Sequence, residues 1–134
     1  MLQVIKNLYR DNALYLAVFI TVSIAFLSLF NIKDLKPEID ISNLDKYEHA
    51  IAYLILTLSW CFAMDIEKKY ANNRFWIMAA VFLFGVLMEV FQQLLTSYRE
   101  ADLLDIFANS SGIILGFLFF EKIINKEFKE YLQS

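Results

Sequence analysis

Arg99-Glu100-Ala101-Asp102-Leu103-Leu104-Asp105-Ile106-Phe107-Ala108-Asn109-Ser110-Ser111-Gly112, running on into the apolar Ile113 to Phe120, is the stretch whose reading decides the fold. As a helix it spaces Asp102, Asp105, Asn109, Gly112 and Gly116 by three, four, three and four residues, which places them in one stripe. The rest of the circumference is Leu, Ile, Phe and Ala, which suits lipid or apolar neighbours. Carboxylates turned toward lipid are too costly, so the stripe must face inward onto other helices.

Composition supports that reading. Of 134 residues, 59% are hydrophobic and 16% aromatic, well above the apolar share of a water-soluble domain. Three glycines and one proline leave little turn chemistry for sheets. The expected fold is all-α: one integral membrane domain over 1–134, a four-helix bundle with short loops. The single Cys61 has no cysteine to pair with and sits in an apolar segment, so it reads as packing. A net charge of −3 with scattered basic residues lacks the concentrated basic stripe that nucleic-acid binding requires.

Working outward, Ala13 to Phe30 is an uncharged run of eighteen residues, about 27 Å as a helix. It is longer than a signal-peptide core and ends without a small-residue cleavage site, so it reads as an uncleaved first span, 13–31. Lys33 to Asp45 is a polar loop holding Pro37. The second span, 46–64, opens with Asp45, His49 and Tyr53 on one face, each four residues apart. Asp65 to Arg74 is a short charged connection that makes the second and third spans antiparallel neighbours. The third span, 75–95, carries Gly85 and Glu89 on one face with Gln92 and Gln93 flanking. The fourth is 102–120, and 121–134 reads as an amphipathic tail on the membrane surface.

Eight of the twelve Lys and Arg fall in the two terminal tails and the middle loop, and four in the other two loops. Both termini are therefore expected in the cytoplasm. Asp45, His49, Glu89 and the Arg99 to Asn109 stretch then share the outward half, where a bundle of four spans brings their polar faces together. The candidate catalytic residues are His49 with Asp45 as an oriented base, Glu89 as acid, and Asp105. Arg99 and Lys46 would hold phosphate or carboxylate. Asp102, Asn109, Gln92 and Tyr53 complete the ligand-binding set. Each has a plainer reading: Asp102 as a helix cap, Arg99 as an interfacial anchor, Glu89 as glue between helices, and Gly112 with Gly116 as close helix packing. Asp45, His49, Glu89, Asp102 and Asp105 offer oxygen and imidazole donors, but no His-Glu-x-x-His spacing, so no metal ligand is assigned and no cofactor is named.

The combined pattern is Asp45-Lys46-x-x-His49-x-x-x-Tyr53, then Gly85-x-x-x-Glu89-x-x-Gln92, then Arg99-x-x-Asp102-x-x-Asp105-x-x-x-Asn109-x-x-Gly112-x-x-x-Gly116. It resembles the VanZ-like family of bacterial membrane proteins, over about Asp45 to Gly116. The resemblance implies a small multi-pass protein of the bacterial cytoplasmic membrane, in a family named for resistance to teicoplanin-type glycopeptide antibiotics. The expected function is an outward polar cleft that binds or modifies an anionic cell-envelope molecule, a lipid-linked wall precursor or a phospholipid head group. The alternatives are a metal-dependent hydrolase or transferase within the membrane and a non-catalytic structural protein. A proton-coupled transporter would require an oligomer, since four short unbroken spans make a poor alternating-access machine.

Overall fold

The computed structural model describes residues 2–30, 43–66, 74–97 and 100–124, with the single positions 126, 130 and 133. The expectations for Arg99, for most of the first loop, for the middle of the second and for most of the tail therefore lie outside the described residues.

Among the described residues the chain is all-α: α1 (Leu2–Leu29), α2 (Leu44–Ile66), α3 (Arg74–Leu95) and α4 (Leu103–Phe119), closed by a wider π-helical turn over Phe120–Ile124. Local chemistry sets the ends. Asn43, at φ 60, turns the chain into α2, a conformation that Asn tolerates better than most side chains. Asp102 is extended (φ −118, ψ 121) and its side chain accepts from the Leu104 N–H at 2.8 Å, starting α4. The serine hydroxyls of α4 are turned back on their own backbone: Ser110 Oγ donates to Ile106 O at 2.8 Å and Ser111 Oγ to Phe107 O at 2.9 Å. That keeps the outward faces of α4 free of unsatisfied polar groups.

Among the described residues, three helical stretches, Asp11–Leu29, Arg74–Leu95 and Leu103–Lys122, are long and apolar enough to cross a membrane. The expected second span is not among them, although α2 has 23 residues. Its first turns hold Asp45, Lys46, Glu48 and His49, which lower its hydropathy. α1 also begins at Leu2, well before the apolar run that marks the expected span.

The helices alternate in direction, with the end of α1, the start of α2, the end of α3 and the start of α4 at one pole. Trp60 Nε1 donates to Thr21 Oγ1 at 3.0 Å between α2 and the antiparallel α1. Gln92 Nε2 donates to Ser28 O at 3.0 Å, joining the ends of α3 and α1. At the opposite pole Arg74 pairs with Glu121 and lies over the Phe120 ring, and Phe62 meets Phe120 edge-on at 5.1 Å. The core between them is Tyr53, Leu56, Val81 and Ile113.

The short second loop makes α2 and α3 antiparallel contacts, but the most extensive packing is between α2 and the parallel α4. Glycine is the reason. A Cβ added at Gly112 would run into the carbonyl oxygen of Ala50, and one at Gly116 would come within 2.8 Å of Leu54 O. The two backbones therefore touch where side chains would otherwise hold them apart. α2 packs on all three other helices and is the centre of the bundle.

Candidate functional site

The α2–α4 contact fixes the site. Because the two helices run parallel and close, their first turns lie side by side, and the last turns of α3 come up against them. α2 supplies Asp45, Lys46 and His49; α4 supplies Asp102, Asp105 and Asn109; α3 supplies Glu89. The stripe on α4 faces inward as its spacing requires: Asp105, Asn109, Gly112 and Gly116 are all buried.

Two layers can be distinguished. Nearer the helix ends, Lys46 Nζ donates to Asp102 Oδ2 at 2.6 Å, to Asp45 Oδ2 at 2.9 Å and to Asp105 Oδ1. Asp45 and Asp102 are half-exposed, and the Lys46 hydrogen bond beside each holds its carboxyl below the usual carboxylate range; the Leu104 N–H adds to this at Asp102. Beneath them lie His49, Glu89, Asp105 and Asn109. His49 Nδ1 is 3.0 Å from Asn109 Oδ1 and 3.9 Å from Glu89 Oε1, while Nε2 is 3.6 Å from Asp105 Oδ2. The Asp102 N–H points at Glu89 Oε2 at 3.4 Å. Glu89 and Asn109 are each 2% exposed, and both lie about 9 Å from the near end of their helix.

The sequence-derived candidates sort as follows. Asp45, Lys46, His49, Glu89, Asp102, Asp105 and Asn109 are brought together. Asp102 is both the α4 cap and a Lys46 partner. Tyr53 lies buried one turn below His49, against Gly85 and Phe84. Gln92 is buried but directed to α1 through Ser28, and Gln93 is exposed. Arg99 lies outside the described residues.

Sequence reasoning missed the part played by Gly85. A Cβ there would stand 3.0 Å from Tyr53 Cε1 and 3.2 Å from Asn109 Nδ2, so the absence of a side chain lets Asn109 and Tyr53 close beneath Glu89. Its position one turn before Glu89 was the available signal.

Chemically, the lower layer is a histidine held between an amide and a carboxylate, with a second buried carboxylate in reach. Such a group can accept or donate a proton, or share a cation. The described part of the cluster sets one ammonium against four carboxylates, so its field attracts positive charge. Comparison with protein-family models, with characterised proteins and with solved structures finds no match to this chain.

Proposed function

We propose that this chain is a multi-pass protein of the bacterial cytoplasmic membrane whose polar cluster binds or modifies an anionic cell-envelope molecule. A lipid-linked wall precursor and a phospholipid head group both fit that description. The observation that carries the reading is the convergence of His49, Glu89, Asp105, Asn109 and Lys46 at one pole of a bundle whose outside is apolar. Tyr15, Phe19, Phe75, Leu94, Leu103 and Phe107 all project outward, as lipid-facing residues would. Ionisable side chains kept within such a bundle mark a site by default, because apolar residues would fill the same space at lower cost.

In this reading α2 completes a four-span topology with both termini in the cytoplasm, the orientation that the Lys and Arg distribution supports. The polar pole then faces the envelope side, at headgroup depth. Arg99 would hold a phosphate or carboxylate, while His49, Glu89 and Asp105 move protons or position the ligand. The resemblance to the VanZ-like family supports a small multi-pass membrane protein of this kind, and a link to glycopeptide resistance is part of the proposal.

A second reading, structural glue, is favoured by the way Lys46, Asp102, Asp105, His49 and Asn109 bond one another. Native mass spectrometry of the detergent-purified protein beside Glu89→Gln and Arg99→Ala separates the two. A retained lipid mass that both changes remove supports the ligand site. Wild type and variants that carry the same masses, with only the yield of folded Glu89→Gln reduced, leave the structural reading standing.

A further inference from the structure

We infer that His49, Glu89 and Asp105 form a binding site for one divalent cation of the Zn²⁺ or Mn²⁺ class. One imidazole nitrogen and one oxygen from each carboxylate lie within 4.8 Å of one another. Metal–ligand bonds of about 2.1 Å place tetrahedral donors about 3.4 Å apart. Nε2 stands 3.6 Å from Asp105 Oδ2, within a few tenths of an ångström of that, whereas the 3.9 Å to Glu89 Oε1 is measured from the other ring nitrogen, Nδ1, so Glu89 must swing toward Nε2 to join the ion. Small side-chain rotations close the remainder.

The hydrogen bonds around the triad direct it toward a cation. With Asn109 Oδ1 as the acceptor at 3.0 Å, the proton of His49 lies on Nδ1, and a ring carrying that proton alone keeps its lone pair on Nε2. In that tautomer Nε2 and Asp105 Oδ2, 3.6 Å apart, repel each other unless positive charge, a proton or a metal cation, lies between them. A divalent ion supplies that charge and draws in Glu89 as well. The other atom of each donor is already held: Asp105 Oδ1 by Lys46, Glu89 Oε2 by the Asp102 N–H, and His49 Nδ1 by Asn109. Metal ligands are oriented in this way, each with its second atom tied to a partner.

The orientation of the Asn109 amide decides which ring nitrogen is open to an ion. Its Nδ2 is fully buried and has no hydrogen-bond partner among the described residues. Turning the amide over would give Nδ2 a partner in His49 Nδ1, at the cost of moving the ring proton to Nε2. Keeping Oδ1 on the ring leaves an amide donor unsatisfied but frees Nε2 for a cation, so the two arrangements predict different chemistry.

Three protein ligands leave a zinc-like ion one or two open positions. Those positions are where a phosphate oxygen would bind, and the ion would offset the carboxylate charge that otherwise repels an anion. The inference rests on the proposed function for that phosphate alone; the three ligands stand on geometry.

The test uses the full chain in detergent, stripped with a chelator and titrated with Mn²⁺ and, separately, Zn²⁺. One ion per chain is expected, with affinity at least tenfold weaker in Glu89→Gln and Asp105→Asn. Bound Mn²⁺ should show nitrogen-14 modulation in pulsed electron paramagnetic resonance, absent in His49→Gln. Asn109→Ala should keep that modulation while losing about 10–100-fold in affinity. Circular dichroism selects the variants that remain helical. Wild-type protein that is helical yet binds no ion stoichiometrically, or binds Mn²⁺ without nitrogen modulation, overturns the site. So does a neutral ring with its proton on Nε2, read by nitrogen NMR in the presence of Zn²⁺. Lipid retained equally with and without chelator, alongside no ion binding, rejects the metal and leaves the proposed function. Stoichiometric ion binding with no retained lipid supports the metal and counts against the ligand.

Discussion

At the scale of single residues, Lys46 is the side chain on which most depends. Its ammonium joins the first turn of α2 to the cap and first turn of α4 through Asp102 and Asp105. Asp105 is 8% exposed, so removing its cation leaves a buried carboxylate without this partner. Loss of one member of such a pair typically costs about 3–5 kcal/mol, and the 20% exposure of Lys46 puts Lys46→Met near the lower figure. Thermal unfolding in detergent should therefore show a clear drop in Tm, with Lys46→Arg recovering only part of it because the planar fork does not fit three converging acceptors. The sign of the pH dependence follows from Asp45 and Asp102. Both native carboxyls sit below their ordinary value because of Lys46, so their contribution is complete above that value and is lost as pH falls through the lower native one. Wild-type Tm should hold from pH 7 to about 5 and fall below about pH 4, and Lys46→Met should flatten that fall. A wild type whose Tm rises on acidification would contradict this ion cluster.

At the scale of elements, the decisive contact is α2 against α4. Within an isolated helix Gly112→Ala would be favourable by about 1 kcal/mol, since glycine is the poorer helix former. Here the new methyl collides with the Ala50 carbonyl, a backbone atom that cannot rotate away. The helices must separate, at a cost of about 1–3 kcal/mol, so the net effect is destabilising. Separation also pulls Asp105 and Asn109 away from Lys46 and His49. Gly112→Ala should therefore lower Tm and weaken ligand or ion binding together. Leu115→Ala, on the exposed face of α4, should leave binding unchanged. The spacing of Gly112 and Gly116 marked a close-packing face, because a four-residue repeat of small side chains leaves an uncovered strip of backbone. It did not say which helix fills the strip. Loop length made α2 and α3 antiparallel neighbours, as they are, and the backbone shape at Gly112 and Gly116 gives the larger contact to α4.

At the scale of the whole molecule, the proposed outward cleft depends on orientation. A cysteine introduced at Asn43, at the entrance to α2, should react with an impermeant thiol reagent added outside intact cells, and one at Asn72 should not. The buried Cys61 should contribute little background. The reverse labelling would put the polar pole in the cytoplasm and rule out an envelope ligand. Much of the architecture was legible without coordinates. Apolar runs with few glycines and prolines permit only helices, and the three-and-four spacing of Asp105, Asn109, Gly112 and Gly116 forces that stripe inward, because periodicity is a property of one helix alone. Asp102 was equally readable as a cap, since capping involves only neighbours in the chain. The partners across helices were not legible: that Lys46 serves three carboxylates, that Asn109 holds His49, and that Gln92 reaches α1 while Glu89 remains in the cluster. Those pairings depend on how far two helices approach and at what height their ends meet. The sequence by itself determined the helices, their apolar faces and which residues turn inward. Only the tertiary structure decided what those residues meet, because the glycine contact between α2 and α4 sets the register that brings His49, Glu89 and Asp105 within reach of one another.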